Sequence, residues 1–332
     1  MLDKQAVLVT GGAGYIGSHT CKALARGGFH PVTYDNLSRG HEWAVRWGPL
    51  EQGDVLDRNR LDEVLAKYDF LGALHFAAAI EVGESIKHPA HFYRTNIGGA
   101  ATVIEALSAQ NISAFVFSST AAVYGLPEGD TLTEAAPLKP INPYGESKLA
   151  VEKLLLSSQA AYGLQSVSLR YFNAAGADED GEIGEEHDPE THLIPLALSA
   201  INNGQRLKLF GTDYPTPDGT AIRDYIHVSD LAEAHVSALR YLLDGGKSTA
   251  FNLGASHGFS VREVLASIER VTGTPVPYDD AARREGDPAV LVADPSSARR
   301  VLGFEGRRSQ SLDLIVKNAW DWIELHRARV VP

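Results

Sequence analysis

Cysteine is almost absent from this sequence: Cys21 is the only one in 332 residues. A single thiol excludes an internal disulfide, and it excludes a zinc or iron–sulfur site built from several cysteines. Long apolar runs are missing too. Even the run 71–80 is interrupted by His75, whereas a membrane-spanning helix needs about 20 consecutive apolar residues. We therefore expect no membrane partner and a reducing, cytoplasmic compartment.

Positive charge is also in short supply. Lysine and arginine number 30 against 42 aspartate and glutamate residues, which gives a net charge of −12. A chain of this charge repels the phosphates of nucleic acid, so we expect no nucleic-acid partner. The chain is longer than one typical domain of about 100–150 residues, and we expect two lobes.

The sequence does contain a regular alternation of strand and helix patterns. Segments of helical period separate apolar runs of strand length, which stand at 5–10, 31–35, 72–77, 114–118 and 166–172. Strands joined through helices pair in parallel and are covered on both faces, which explains why these runs are continuously apolar. The pattern predicts an α/β fold with a doubly wound parallel sheet.

The rhythm changes after Asn173, where an acidic, glycine-containing stretch at 178–190 follows. The stretch begins like a calcium-binding loop, which needs a glycine at its sixth position and a glutamate at its twelfth. Neither condition is met, since the glycines stand elsewhere and Pro189 is twelfth. We predict a solvated loop that includes His187, and no metal site.

A glycine-rich turn follows the first predicted strand. Gly12, Gly14 and Gly17 satisfy G-x-G-x-x-G, and Gly11 gives a second spacing with the last two. The backbone of such a turn approaches a pyrophosphate closely, and the N-terminus of the next helix favours the anion, so a side chain at Gly14 would obstruct binding. We predict a Rossmann domain for NAD in residues 1–173. Residues 174–332 form a smaller mixed α/β domain for the substrate, with a possible chain crossing between the lobes.

The end of the second predicted strand indicates which dinucleotide binds. Asp35 stands near the offset of about 20 residues at which an acid accepts hydrogen bonds from the adenosine ribose and repels a 2′-phosphate. This favours NAD over NADP. Arg39 is close enough in sequence to keep that choice open.

A tyrosine and a lysine four positions apart form the candidate catalytic pair. Tyr144 and Lys148 share one face of a helix that is predicted to open at Pro143. A phenol has an ordinary pKa of about 10, but an adjacent ammonium and a nicotinamide cation favour its phenolate, which accepts a proton from a sugar hydroxyl. The same spacing is common on exposed helices, so the pair gains its meaning from its place after a nucleotide-binding half.

Together these motifs resemble the extended short-chain dehydrogenase/reductase superfamily over the whole chain. The matching segments are 10–17, 75–78, Asn96, 118–120 and 144–148. Later segments are similar to those members of the superfamily that invert C4 of a UDP-sugar, namely 169–173, 210–216, 223–228 and 283–287.

The resemblance implies a role for each matching residue. Tyr144 is the acid/base, Lys148 holds the nicotinamide ribose and tunes Tyr144, and the Thr120 hydroxyl contacts the reacting sugar oxygen. A tightly bound NAD is held by Gly11, Gly14, Tyr15, Ile16, Gly17, Asp35, Asn36, Asp54, Val55, Phe76, Ala77, Ala78, Asn96, Ser118, Tyr144, Lys148 and Phe172. A UDP-sugar is held by Thr120, Tyr144, Asn173, Leu193, Phe210, Arg223, Tyr225, Arg284 and Asp287, with the guanidinium groups on the diphosphate.

The implied reaction is epimerisation at C4, which interconverts UDP-glucose and UDP-galactose in galactose metabolism or glycan precursor supply. C4 is oxidised by hydride transfer to NAD, the ketone intermediate rotates in the site, and the hydride returns to its opposite face. Ala121 and Ala122 stand where related dehydratases and decarboxylases carry an additional acid or base. Elimination therefore has no visible catalyst there.

Three departures from the family pattern bear on cofactor retention and substrate choice. Ile80 and Glu81 stand where many members place a basic residue against the cofactor, and His192 stands where an asparagine often precedes Leu193. Leu291 stands where some members carry a large tyrosine beside the sugar, and we expect it to leave room for an N-acetylated sugar. A UDP-pentose and a UDP-N-acetylhexosamine 4-epimerase remain alternatives.

A serine hydrolase is a competing interpretation, because residues 254–258 match G-x-S-x-G. The next predicted helix, however, is capped at Ser260 with Glu263 in capping-box spacing, too late for Ser256 to lie in its first turn. His326 is the only later histidine available for the usual order of serine, acid and histidine. We therefore do not favour a hydrolase.

A noncatalytic NAD-sensing protein on the same fold is the remote alternative, and the tyrosine–lysine pair argues against it. The resemblance also implies a homodimer through the amphipathic segments 93–110 and 142–162. The same apolar stripes equally suit contact with the sheet.

Overall fold

The structure is a computed structural model, and it describes residues 5–126, 129, 131–284 and 286–330, so Glu285 of the predicted substrate segment lies outside the described residues. Its strands are β1 (Ala6–Thr10), β2 (His30–Asp35), β3 (Leu50–Gln52), β4 (Phe70–His75), β5 (Ala114–Ser118), β6 (Thr131–Leu132), β7 (Gln165–Tyr171), β8 (Asn173–Ala175), β9 (Leu207–Phe210), β10 (Ile222–Arg223), β11 (Tyr225–His227), β12 (Thr249–Leu253), β13 (Phe259–Ser260), β14 (Tyr278–Ala281) and β15 (Val290–Ala293).

Its helices are α1 (Tyr15–Arg26), α2 (Arg58–Leu65), α3 (Val82–Lys87), α4 (Pro89–Phe92), α5 (Gly99–Ala109), α6 (Pro143–Tyr162), α7 (Leu193–Asn203), α8 (Val228–Leu243), α9 (Val261–Thr272), α10 (Ser296–Leu302) and α11 (Leu312–Val330). A π-helical segment, Tyr93–Gly98, joins α4 to α5. None of the described helices has the length and apolar character that a membrane span requires.

Seven parallel strands form the central sheet, in the order β12-β7-β5-β4-β1-β2-β3. The helices α2, α5 and α6 pack on one face and α1 and α8 on the other, so that β1 and β5 are buried along their whole length. The predicted fold class is thus confirmed. The strand predicted at 72–77 ends earlier, at His75, because the N–H groups of Phe76 and Ala77 donate instead to the Thr10 carbonyl at 2.9 and 3.1 Å.

The chain returns to the central sheet after it has entered the second lobe. Strand β12 pairs with β7 at the edge of the sheet, and α8 packs against α1. Two elements of the second half therefore join the first lobe by contact. The division after residue 173 stays a prediction about which part binds the nucleotide and which the substrate.

The second lobe consists of small sheets and the helices α7, α9 and α11, which share one apolar core. Its sheets have the strand orders β13-β10-β15-β6, β11-β8 and β14-β9. The predicted capping box at α9 is confirmed. Ser260 Oγ accepts from the Glu263 N–H at 3.1 Å, and the Glu263 carboxylate accepts from the Ser260 N–H at 2.7 Å.

The stretch 178–190 is not the solvated loop that its charge predicts. Ile183 is fully buried, and Asp178 is 6% exposed. Lys22 of α1 reaches into the stretch and donates to Asp178 at 2.7 Å. The prediction was wrong because the cation that neutralises these acids stands 156 positions away in the sequence.

Candidate active site

The glycine turn packs tightly on the protein side and is open on the other. Gly11 has a φ of 72°, and a Cβ there would lie 2.6 Å from the Ala77 nitrogen. A Cβ on Gly17 would lie 2.1 Å from the Gly11 carbonyl oxygen, so the fold itself requires both glycines. A Cβ on Gly14 would meet only that oxygen, at 3.4 Å. Glycine at this position therefore fits a ligand, a pyrophosphate at the N-terminus of α1, where Tyr15 and Ile16 begin the helix.

Asp35 ends β2 at the same edge of the sheet. Its carboxylate accepts from the Ala13 N–H at 3.0 Å and from the Leu37 N–H at 2.9 Å. Burial raises the pKa of Asp35, and these two hydrogen bonds oppose the shift. Arg39, which kept the choice of dinucleotide open, pairs with Glu81 at 3.2 Å. The carboxylate has further lone pairs for a ribose, and the nearby guanidinium is already paired.

The next predicted cofactor residues continue along this edge. The Asn36 amide donates to Asp54 at 2.9 Å, and Val55 is buried beside Gly99. Here the resemblance places the adenine. These three residues lie together, and their contact with a cofactor stays a prediction.

Asn96 uses its amide within the protein. Its Oδ1 accepts from the Ala79 N–H at 2.8 Å, and its Nδ2 donates to the Ala79 carbonyl at 3.0 Å and to Ser147 Oγ at 2.9 Å. It thereby ties the loop after β4, which carries Phe76, Ala77 and Ala78, to helix α6. The structure gives Asn96 a positioning role, and its predicted contact with NAD stays a prediction.

Helix α6 carries the candidate catalytic pair. The helix begins with Asn142 as its cap, since Asn142 Oδ1 accepts from the Gly145 N–H at 2.8 Å. The Lys148 ammonium lies 5.9 Å from the centre of the Tyr144 ring and donates to the Ser118 carbonyl at 3.0 Å. The sequence spacing therefore does place the two side chains on one face, beside the end of β5.

Burial dominates the protonation of both groups. It raises the pKa of Tyr144 to about 12, and a hydrogen bond with Thr120 opposes the shift. It lowers the pKa of Lys148 to about 7. We expected the lysine and a nicotinamide cation together to favour the phenolate; in the chain without the cofactor, burial keeps Tyr144 protonated and weakens the charge on Lys148. A further positive charge, such as oxidised nicotinamide, is needed beside Tyr144.

Two side chains behind this pair escaped sequence analysis. The Tyr171 hydroxyl lies 2.5 Å from Ser118 Oγ. Glu152 of α6 accepts from Ser119 Oγ at 2.5 Å and from two nitrogens of Arg170 at 3.0 and 2.6 Å. The signal in the sequence was Glu152, a charged residue on the buried face of α6. It did not reveal that its partner is Arg170 of β7.

Three predicted substrate residues lie on β8, α7 and β11 of the second lobe. Asn173 pairs with Tyr225 in the register of β8 and β11, and its amide donates to the Asp224 carbonyl at 2.9 Å. Leu193 is the first residue of α7. Burial raises the pKa of Tyr225, and Arg223 and Asp287 are near enough to shift it in opposite directions.

The predicted diphosphate contacts are paired within the second lobe. Arg223 Nη2 donates to Asp287 at 2.5 Å, and the Arg284 guanidinium stacks on the Phe210 ring at 4.1 Å. Stacking leaves the edge of a guanidinium open to a phosphate. The structure thus brings Arg223, Tyr225 and Asp287 together in one group and Phe210 and Arg284 in another.

Leu291 lies near the turn that follows Thr120, the residue predicted to contact the sugar oxygen. Leu291 and Phe172 both pack on one buried cluster, which includes Val123 and Tyr124 of the turn that follows Thr120. His192 precedes α7 without capping it and contacts Glu185 instead. The effect of Leu291 on the choice of sugar stays a prediction.

The G-x-S-x-G segment lacks the geometry of a hydrolase. Ser256 has a φ of 67°, and its Oγ lies 2.7 Å from Arg299 Nη2. Within the described residues no histidine hydrogen-bonds to Ser256, and His326 packs instead against Trp43. Helix α9 begins only at Val261. The structure therefore offers no support for the hydrolase alternative.

Comparisons with known proteins agree with this geometry. Residues 7–254 match the NAD dependent epimerase/dehydratase family. A UDP-glucose 4-epimerase of Rhizobium leguminosarum bv. trifolii is 55% identical over 319 residues, 96% of this chain and 97% of the relative. The crystal structure of UDP-glucose 4-epimerase from Brucella ovis in complex with NAD is 51% identical, with a TM-score of 0.93, and the match covers 95% of this chain and 97% of that one. UDP-glucose-4-epimerase from Stenotrophomonas maltophila, with bound NAD and formylated UDP-arabinopyranose, is 39% identical, with a TM-score of 0.93, over 98% of this chain and 99% of that one.

Proposed function

Because this chain belongs to the NAD dependent epimerase/dehydratase family, we propose that it inverts C4 of a UDP-sugar and interconverts UDP-glucose and UDP-galactose. The observation that carries this proposal is the buried pair of Tyr144 and Lys148 beside Thr120, at the edge of the sheet that also bears the glycine turn. The reaction has no net redox change, so one tightly bound NAD serves both half-reactions. Galactose metabolism is the setting that this activity indicates.

The residues at the glycine turn fit NAD. Gly14 leaves space beside the N-terminus of α1, and Asp35 offers carboxylate oxygens to a ribose while repelling a 2′-phosphate. Arg39, the candidate for a 2′-phosphate, pairs with Glu81. When bound, NAD supplies the hydride acceptor and, in its oxidised form, a positive charge beside Tyr144.

The chain's own side chains handle the proton. Tyr144 Oη accepts the proton of the sugar 4-hydroxyl as C4 is oxidised, and it returns that proton when the ketone is reduced. Thr120 Oγ1 holds the reacting oxygen, and the Lys148 ammonium stabilises the phenolate electrostatically. Ala121 and Ala122 carry no group that exchanges protons, so the 4-ketone is not drawn into elimination.

The second lobe holds the UDP moiety while the 4-keto sugar rotates. Arg223 and Arg284 bind the diphosphate, since guanidinium groups make bidentate hydrogen bonds to phosphates. Binding energy from the nucleotide keeps the ketone in the site while it presents either face to the hydride donor. The sugar itself needs few fixed contacts.

The substitution Tyr144→Phe tests the central role. We expect it to lower kcat with UDP-galactose by roughly 10²–10⁴-fold, because the proton acceptor is lost. Tyr162→Phe, at the 59% exposed tyrosine that ends the same helix, is the matched control and should keep its activity. Undiminished turnover by Tyr144→Phe would remove this residue from its role. A deuterium label at C4 should stay on the sugar, and its loss to water would contradict the hydride mechanism.

A UDP-N-acetylhexosamine or a UDP-pentose is the second candidate substrate. Leu291 packs on the same buried cluster as Phe172, near the turn of Thr120, where a side chain smaller than tyrosine leaves space. The Stenotrophomonas relative was solved with a modified UDP-pentose. Turnover of a panel of UDP-hexoses, their N-acetyl forms and UDP-pentoses separates these candidates.

We also propose a homodimer and a cytoplasmic location. Tyr93 and Leu156, in the two amphipathic segments, are 41% and 65% exposed, which favours a covering partner over contact with the sheet at these positions. The single cysteine, Cys21, is buried and free, in line with a reducing compartment. Size-exclusion chromatography with light scattering measures the oligomeric state.

A further inference from the structure

Four side chains of the segment that leads into α7 converge on one point. Glu185, His187, Glu190 and His192 each offer one ligand atom, and these atoms all lie within 4.8 Å of one another. His187 Nδ1 is 3.3 Å from Glu185 Oε1 and 3.7 Å from Glu190 Oε2. His192 Nδ1 contacts the same Glu185 oxygen. Side chains from an eight-residue segment thus bring two imidazole nitrogens and two carboxylates together.

Most of this cluster is shielded from water. The side chain of Glu185 is 5% exposed, that of His187 17% and that of Glu190 19%. The ring of Tyr15 packs edge-on against His187 at 6.2 Å, and the two imidazoles pack edge-on at 5.3 Å. Two carboxylates in such a place need a compensating positive charge.

We propose that Glu185, His187, Glu190 and His192 bind one divalent transition metal ion, zinc above all, in a four-ligand structural site. Imidazole nitrogens and carboxylate oxygens are ordinary zinc ligands, at about 2.0–2.2 Å. Donors around a tetrahedral zinc with such bonds lie roughly 3.3–3.5 Å apart. The separations from His187 to Glu185 and Glu190 need only small adjustments, whereas the direct contact between His192 and Glu185 is shorter and has to open to admit the ion. Two carboxylates carry a charge of −2 and two neutral imidazoles carry none, so together they balance the charge of one divalent ion. Four protein ligands leave no open position, which is typical of a structural zinc site.

A neighbouring cluster shows that carboxylates alone do not make such a site. Asp178, Asp180 and Glu182 also converge, but the Lys22 ammonium lies among them at 2.7, 2.8 and 2.6 Å. That cluster has its cation in the chain. Among the described residues, the ion pairs of Glu185 and Glu190 come from histidines only. Histidine supplies the positive charge when it is protonated and, unlike lysine in that cluster, becomes a metal ligand when it is neutral.

Protons compete with a metal at this cluster. Burial by itself lowers the pKa of His187, but hydrogen bonds with Glu185 and Glu190 raise it to about 10. A metal must displace these protons, so its apparent affinity improves with pH. Titrations are therefore best carried out at mildly alkaline pH.

The ion would fix the start of α7 against the nucleotide-binding lobe. Tyr15, which packs on His187, begins α1 after the glycine turn and donates to the Gly176 carbonyl at 2.6 Å. His192 directly precedes Leu193, the first residue of α7. The site takes no part in proton or hydride transfer, and the proposal does not depend on the proposed epimerase activity.

Zinc binding to the full chain tests the proposal. Protein treated with EDTA and dialysed is titrated with zinc chloride in competition with a chromophoric zinc chelator. We expect one zinc per chain for the unchanged protein and none for the double variant His187→Gln/His192→Gln. His326→Gln is the matched control, because His326 pairs with Glu186 of the same segment at 3.3 Å and is not a proposed ligand. It should bind one zinc, and zinc should raise its melting temperature by roughly 2–5 °C, as for the unchanged protein.

Two results would overturn the site. One is equal zinc uptake by the unchanged protein and the double variant, which means adventitious binding only, and the other is no stoichiometric uptake by the unchanged protein. If the double variant does not fold, Glu190→Gln keeps both histidines and removes one ligand charge. It should weaken zinc binding by roughly 10-fold or more, and unchanged affinity there also contradicts the proposal.

Discussion

Two lysines of the nucleotide-binding lobe are buried to nearly the same extent, yet their surroundings are opposite. Lys22 is 4% exposed and Lys148 is 3% exposed. Three carboxylates lie within 2.8 Å of the Lys22 ammonium. The Lys148 ammonium donates to the Ser118 carbonyl and lies 5.0 Å above the Phe117 ring. One lysine is a paired structural cation, and the other is surrounded by neutral groups.

The pKa values of the two lysines diverge accordingly. Burial alone would lower both. For Lys22, hydrogen bonds with Asp178, Asp180 and Glu182 outweigh burial and raise the pKa, whereas for Lys148 burial lowers it to about 7. An unpaired buried charge destabilises a fold, and such groups concentrate where they act on a reacting group. The difference therefore distinguishes a lysine that holds the lobes together from one that serves the proposed chemistry.

The largest expected effect is on stability, from Lys22→Met. Removing the cation leaves Asp178 buried without its partner, and we expect the free energy of unfolding to fall by about 3–5 kcal/mol. Urea unfolding measures this. Lys153→Met, at an exposed lysine of α6, is the control and should change stability by less than about 0.5 kcal/mol. A loss for Lys22→Met as small as that of the control would show that the three carboxylates do not depend on it.

Lys148→Met should affect turnover instead. Without the ammonium the Tyr144 phenolate loses its electrostatic support, so we expect kcat to fall by roughly 10²-fold or more at saturating NAD, about 2.7 kcal/mol in the barrier. Lys22→Met, assayed below its melting transition, should keep kcat within a factor of about 3. Retained kcat in Lys148→Met would mean that the lysine only fills space beside the cofactor.

Local sequence patterns correctly predicted much of the nucleotide-binding lobe. Continuous apolar runs predicted the parallel strands, and the spacing of Gly11, Gly14 and Gly17 predicted the turn, because each feature depends on only a few neighbouring residues. The helical spacing of Tyr144 and Lys148 likewise placed both side chains on one face. None of these needed knowledge of what packs against them.

Features that depend on residues far apart in the sequence were not predicted. Lys22 and Asp178 are far apart in sequence, so the stretch 178–190, including His187, was predicted to be a solvated loop. Glu152 and Arg170 meet only because α6 packs beside β7. The extent of burial of Tyr144 and Lys148, which raises the pKa of one and lowers that of the other, was not predicted either. Tertiary packing decides these cases, and single-residue chemistry does not.

The smallest expected effect is a pH dependence that separates the two lysines in protein freed of NAD. Between its folded pKa of about 7 and the ordinary lysine value of 10.5, Lys148 binds a proton in the unfolded chain and not in the folded one, so this residue makes stability rise with pH. We expect Lys148→Met to be more stable than the unchanged protein by about 1–3 kcal/mol near pH 7, and this advantage should shrink by roughly 1 kcal/mol per pH unit on the way to pH 9.

Lys22 supplies the contrasting slope. Its folded pKa lies above the ordinary value, so its contribution to stability is complete below about pH 10 and is lost only as the pH rises through the folded pKa. The difference between Lys22→Met and the unchanged protein should therefore stay constant between about pH 7 and 9, as measured by urea unfolding. A constant difference for Lys148→Met, or a sloping one for Lys22→Met, would show that pairing with carboxylates does not set the protonation of these two lysines.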